Sequence, residues 1–293
     1  MSSTPTTVGG LEQLPLVRTA LANGLVFHHA EAGAGAPLVF LHGVLGDWRT
    51  WAPQWAAFTQ HFRCISYSRR YSVPNGNRQA SPHHSALDEA VDLQELLGAW
   101  RAAPAILVGA SYGAYTALAF AAAQPERVRA LVLVEPPLMR LADASPQGRQ
   151  VREDFDRSIR IPAREAFALG DDVRAVWLLT EGILGGADLT QLPPSAMARR
   201  LENAESLRRL TLSSDEFPAL DMARLAALQM PTLLLSGERT PPIHDVVFRA
   251  LSQALPRAES HKVSDTGHGV ARDAPQRFNA LALDFLARHG LLQ

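Results

Sequence analysis

A five-residue turn, Gly109-Ala110-Ser111-Tyr112-Gly113, joins a short apolar run, Ala105 to Val108, to an almost wholly apolar stretch from Ala114 to Ala123. A G-x-S-x-G turn in that setting holds its serine in a strained backbone conformation, with the hydroxyl exposed above the end of a sheet. Glycine is needed at 109 and 113 because larger side chains would collide with the tight turn and the neighbouring strand. The helix that follows Ser111 also brings the partial positive charge of its N-terminus to the place where an oxyanion would form.

The rest of the chain has the alternation that such a turn requires. Pro37 to Leu41, Ala105 to Val108 and Leu131 to Val134 are continuously apolar, which suits strands buried on both faces. Between them, Ala86 to Trp100 places Ala86, Ala90, Leu93, Leu97 and Trp100 on one helical stripe, and Ala114 to Ala123 reads as a buried helix ending before Pro125. Strand and helix in alternation predict a parallel sheet with helices on both faces. From about Pro137 to Leu220 only helix-like stretches rich in Arg, Glu, Leu and Ala are found. Strands resume at Thr232 to Leu235 and Ser260 to Val263, and an amphipathic helix from Gln276 to Arg288 closes the chain. An all-helical insert between two parts of one sheet is expected to be a lid.

Composition excludes several classes. The 28 Lys+Arg and 29 Asp+Glu leave a net charge of −1, too little field to gather nucleic acid or to hold the chain on an anionic membrane. Cys64 is the only cysteine, so no intrachain disulfide and no cysteine zinc cluster can form. Met1 to Leu14 lacks the basic and apolar regions of a secretory leader, and no window approaches the roughly 20 apolar residues of a membrane span. A cytoplasmic location, no metal, no organic cofactor, and a monomer or homodimer acting on a small molecule are the expectations. Gly33-Ala34-Gly35 precedes a strand, whereas a phosphate-cradling loop follows one, so it reads as a turn.

A second loop complements the serine turn. Leu41-His42-Gly43-Val44-Leu45-Gly46 follows the strand Pro37 to Leu41, and its expected task is to present the Val44 backbone N–H beside that of Tyr112 as an oxyanion hole. His42 then reads as a structural hydrogen-bonding residue.

In this order and spacing, the two motifs resemble the α/β-hydrolase superfamily over nearly the whole chain, from about residue 20 onward. The resemblance implies an eight-stranded, mostly parallel sheet flanked by helices, with a helical cap after the sixth strand. Residues 1–136 and 221–293 would form the core and 137–220 the cap. It implies a triad in the order serine, acid, histidine. Val263-Ser264-Asp265-Thr266-Gly267-His268 is similar to the family's last strand and histidine loop, making His268 the general base.

The acid departs from the common pattern. Most members carry it after the seventh strand as G-x-x-D, but here that segment is Gly237-Glu238-Arg239-Thr240, and threonine cannot balance an imidazolium. Glu135, at the end of the strand Leu131 to Val134, is the favoured substitute, with Asp245 and Glu238 as poorer candidates. A few branches of the superfamily place the acid there. Haloalkane dehalogenases do so with an aspartate nucleophile, and zearalenone lactonase-like members do so with a serine, which is the arrangement this chain resembles. Ser68-Arg69-Arg70 also stands where relatives carry Asp-x-Arg-Gly, and its arginines read as loop braces.

The chemistry implied is attack of Ser111 on an ester or lactone carbonyl, through an acyl-enzyme and without a cofactor. Trp48, Phe155 and Trp177 are candidate substrate-binding residues, suited to an apolar or aromatic molecule. Alternatives on the same fold are a C–C bond hydrolase, a cofactor-free lyase or oxygenase, and a non-catalytic ligand receptor.

Overall fold

Strands without polar breaks need cover on two faces. In the computed structural model, which describes residues 9–78, 81–186 and 189–292, they have it. One eight-stranded sheet runs in the order β1-β2-β4-β3-β5-β6-β7-β8. Its strands are β1 (Val17–Ala20), β2 (Val26–Ala32), β3 (Pro37–Leu41), β4 (Arg63–Tyr67), β5 (Ala105–Ala110), β6 (Val128–Val134), β7 (Thr232–Gly237) and β8 (Glu259–Val263). β2 pairs antiparallel with both β1 and β4, and all other neighbouring pairs are parallel.

Side chains alternate across each strand, so one sheet supplies two cores. Leu38, Phe40, Ile106, Val108, Val132 and Val134 face helices α1 (Ala52–Phe58) and α12 (Pro275–Arg288), meeting Trp55, Phe58, Phe278 and Phe285. Val39, Leu41, Leu107, Leu131 and Leu133 face the other way. They pack against α2 (Ala86–Ala99), α3 (Tyr112–Ala123) and α10 (Pro242–Ala254) through Leu93, Leu118 and Leu251. Helix α2 starts in a capping box, the Ser85 hydroxyl accepting from the Leu87 N–H and the Asp88 carboxylate from the Ser85 N–H. Helix α3 is buried along most of its length, as its unbroken apolar sequence requires.

Between β6 and β7 the described residues form helices and no strand: α4 (Pro146–Phe155), α5 (Ile161–Ala168), α6 (Asp172–Ile183), α7 (Pro194–Glu202), α8 (Ala204–Thr211) and α9 (Met222–Ala226). The short helix α11 (Val270–Asp273) precedes α12. The inserted helices have a small core of their own, with Ala166, Phe167, Val176, Leu179 and Leu207, against which Val44 and Leu45 also pack. Polar contacts tie the insert down: Asn203 donates to Asp47 at 2.9 Å and accepts from the Val73 N–H at 3.0 Å. No helix among the described residues is long and apolar enough to cross a membrane. Of the segment read above as lacking a leader, Met1–Val8 lies outside the described residues.

Candidate active site

The sheet brings the serine and the carboxylate to adjacent strand ends. Ala110 of β5 is paired with Val134 of β6, so Ser111 and Glu135 are each the next residue past the same rung. The Ser111 N–H donates to the Val134 carbonyl at 2.7 Å, and the Glu135 N–H to the Leu235 carbonyl at 3.1 Å. Both residues have positive φ, 51° for Ser111 and 43° for Glu135. Side chains other than glycine pay for that conformation, at about 1–3 kcal/mol each, and such strain clusters at functional sites.

The glycines beside Ser111 are sterically required. A Cβ on Gly109 would stand 2.6 Å from the Ala114 Cα, and one on Gly113 would stand 2.3 Å from the Leu41 carbonyl oxygen. Gly113→Ala is therefore expected to destabilise the fold by roughly 3 kcal/mol, through overpacking against immovable backbone. Equilibrium unfolding in urea measures this, and a loss under 0.5 kcal/mol would mean that the elbow yields more readily than its contacts imply.

Helix α3 begins at Tyr112, whose N–H has no intrahelical partner and points from the helix N-terminus. The Gly43–Gly46 loop faces it. A Cβ on Gly43 would lie 3.3 Å from the Ser111 Cβ and 3.9 Å from its Oγ, so the backbone of this loop approaches the serine closely. His42 anchors this loop from below. The Arg69 backbone N–H donates to His42 Nε2 at 2.9 Å, which places the ring proton on Nδ1, where it donates to the Gly43 carbonyl at 2.8 Å. Burial, with the nearby Arg69 charge, lowers the His42 pKa to about 4 and keeps the ring neutral.

The acid and histidine meet across 133 residues of chain. Glu135 Oε2 accepts from His268 Nδ1 at 2.5 Å. The same carboxylate accepts from the Ser236 hydroxyl at 2.7 Å, the Gly237 N–H at 2.8 Å and the Thr240 hydroxyl at 2.7 Å. Burial alone would push its pKa up. The hydrogen bond and charge of His268, with help from Ser236, outweigh it and hold the carboxyl at about 2. Thr240 thus donates a hydrogen bond to the carboxylate at the end of the neighbouring strand. Of the poorer acid candidates, Asp245 pairs with Lys262 and Arg249 at the surface, and Glu238 accepts from the Asp265 N–H. Among the described residues no hydrogen bond joins His268 to Ser111 Oγ; its ring bonds to Glu135. In free enzymes this bond is often long and closes when substrate binds.

The other expected residues are placed unevenly. Trp48 is buried, its backbone held between the hydroxyls of Ser66 and Ser68. Phe155, at the end of α4, turns its edge toward His244 at 6.4 Å, one ring away from His268. Trp177, on α6, is 38% exposed. Arg69 and Arg70 brace the fold through paired bonds to Glu89 and Asp92, and the Arg69 guanidinium lies 4.8 Å from the centre of the Tyr112 ring.

His244 has no counterpart in the motifs. It lies on the first turn of α10, buried, with its ring stacked on His268 at 4.0 Å and 23°. Glu135, His244 and His268 each bring one potential ligand atom within 4.8 Å of the others. That trio serves a metal poorly. Glu135 already takes four donors, and stacked rings direct their lone pairs side by side in near-parallel planes rather than to a common point.

Comparison with known proteins agrees with the architecture. A protein of Caulobacter sp. (strain K31), provisionally named carbamate hydrolase RutD, is 26% identical over 291 residues, spanning 92% of this chain and 98% of its own. A Pseudomonas putida 2-hydroxy-6-oxononadienedioate/2-hydroxy-6-oxononatrienedioate hydrolase is 26% identical over 283 residues, spanning 89% and 92%. Among solved structures, the enol-lactonase from Burkholderia xenovorans LB400 superposes with a TM-score of 0.74 over 92% of this chain and 100% of its own, at 18% identity. The Alpha/beta hydrolase family pattern itself matches residues 38–281, and the chain belongs to that family.

Proposed function

We propose that this chain is a serine hydrolase that cleaves a carboxylic ester or lactone of an apolar or aromatic small molecule. The observation that carries the reading is the 2.5 Å bond between Glu135 and His268, formed one strand away from a serine held at φ 51°. His268, oriented by Glu135 with its Nδ1 proton committed, takes the Ser111 proton on Nε2 as the hydroxyl attacks the carbonyl. The Val44 and Tyr112 N–H groups receive the oxyanion, each such donor contributing about 10²–10³ in rate. Collapse expels the alcohol, protonated by His268. Water, deprotonated by the same ring, then releases the acid. Residues 137–220 act as the cap over this site, with Trp48, Phe155 and Trp177 as contributors to an apolar substrate wall, and the protein works in the cytoplasm on a small molecule without metal or organic cofactor.

The test is intact-mass spectrometry after treatment with a fluorophosphonate. One adduct on the parent protein and none on Ser111→Ala is the expected result. No adduct under conditions that label a known serine esterase would overturn the reading. A second reading, hydrolysis of a C–C bond, is favoured by the name of the Pseudomonas putida relative. Turnover of a coloured dienoate ring-cleavage product, followed by its loss of absorbance, with no activity on an ester panel, would decide for it.

A further inference from the structure

We infer that His244 is a positioning residue: its ring, packed face to face on His268, holds the base in the orientation at which Nδ1 meets Glu135. This inference rests on the triad reading proposed above. The geometry is specific. The two imidazole ring centres are 4.0 Å apart with their planes at 23°, and the Phe155 ring also meets His244, at 6.4 Å and 64°.

The orphaned polarity of His244 supports the assignment. Both of its ring nitrogens are buried and have no hydrogen-bond partner. The contact that the His244 ring does make is face to face with His268. Burial, then repulsion by His268, lowers its pKa to about 3, with Glu135 acting in the opposite direction. It therefore places no competing charge beside the imidazolium that forms on His268 during turnover. The bond to Glu135 fixes His268 at one atom of its ring, and a flat neighbour on its face constrains the tilt of the rest.

Two substitutions separate the face from the nitrogens. His244→Phe keeps a flat ring and removes the unpaired polar atoms. His244→Ala removes the ring. With an ester substrate, His244→Ala is expected to lower kcat roughly tenfold, the factor corresponding to a lost aromatic pair, and to leave KM within about twofold. His244→Phe should keep kcat within about threefold of the parent, because it retains the flat face packed on His268.

A second readout needs no turnover. The proton shared by His268 Nδ1 and Glu135 should give a far-downfield resonance, assigned by its loss in Glu135→Gln. It should stay sharp in His244→Phe and broaden by exchange with water in His244→Ala, with both variants folded by circular dichroism. The inference is overturned if His244→Ala keeps both the resonance and kcat, or if His244→Phe falls as far as His244→Ala. Absence of esterase activity in the parent would strike at the proposed reaction instead, and the resonance would still test the role of His244.

Discussion

Glu135→Gln is expected to lower kcat by about 10³–10⁴, while Thr240→Ala stays within about tenfold of the parent. The amide that replaces the carboxylate keeps its size but carries no charge to balance the imidazolium, and it can present an N–H to His268 Nδ1, which forces the wrong tautomer. Thr240 supplies one hydrogen bond of 2.7 Å to a carboxylate that keeps three other donors, Ser236, Gly237 and His268. Removing it weakens the setting of the acid without removing the acid. The pH profile gives an independent check. A carboxyl held at about 2 stays ionised throughout the working range, so the acid limb of kcat/KM in the parent should not report Glu135. If Thr240→Ala proves the crippled variant and Glu135→Gln retains activity, the acid has been misplaced.

The residues that could be read from sequence are those whose roles depend on local pattern. Ser111 announces itself because the glycines at 109 and 113 and the apolar run on either side are adjacent in the chain. The runs within β3, β5, β6 and β7 are legible because both faces of those strands are covered, as Leu38 and Val39 on opposite cores illustrate. At the sheet edge that logic fails. β1 is mostly exposed, so apolar continuity gives it no signal, whereas β8, with three exposed positions, is legible at Ser260 to Val263 by its place ahead of the Gly267-His268 loop. Boundaries moved for a physical reason as well: β5 continues to Ala110 because the elbow needs the strand to carry Ser111 past the rung shared with Val134.

Glu135 was reachable only through the resemblance, which leaves position 240 uncharged and has branches with the acid at the end of the sixth strand, because its partnership with His268 is a contact between two strand ends far apart in the chain. His244 gave no signal at all. A histidine three residues into an amphipathic helix reads as ordinary, and only the packing of α10 beneath the His268 loop turns it into a neighbour of the base. The double duty of Ser68-Arg69-Arg70, bracing α2 while the Arg69 N–H sets the tautomer of His42, likewise requires coordinates.

The same bracing group gives the largest expected effect on stability. Arg69 and Glu89 are 1% and 3% exposed and share two bonds, at 2.6 and 2.7 Å, while His84 and Thr116 add bonds to the Glu89 carboxylate at 3.0 and 3.2 Å. Glu89→Ala leaves the Arg69 guanidinium buried and unpaired directly beneath Tyr112, and a loss of about 3–5 kcal/mol is expected in chemical unfolding. The double variant Arg69→Met, Glu89→Leu removes both charges together and should recover most of that loss, because the desolvation of the pair offsets much of its attraction. Burial raises the Glu89 pKa, and Arg69 and His84 more than reverse this, holding the folded carboxyl well below its ordinary 4.5. A depressed folded pKa means that the contribution is complete above about 4.5 and is lost as the pH falls below that value. Parent stability should therefore decline on acidification more steeply than that of the double variant. If the double variant is as unstable as Glu89→Ala, the cost lies in packing around the elbow rather than in the stranded charge.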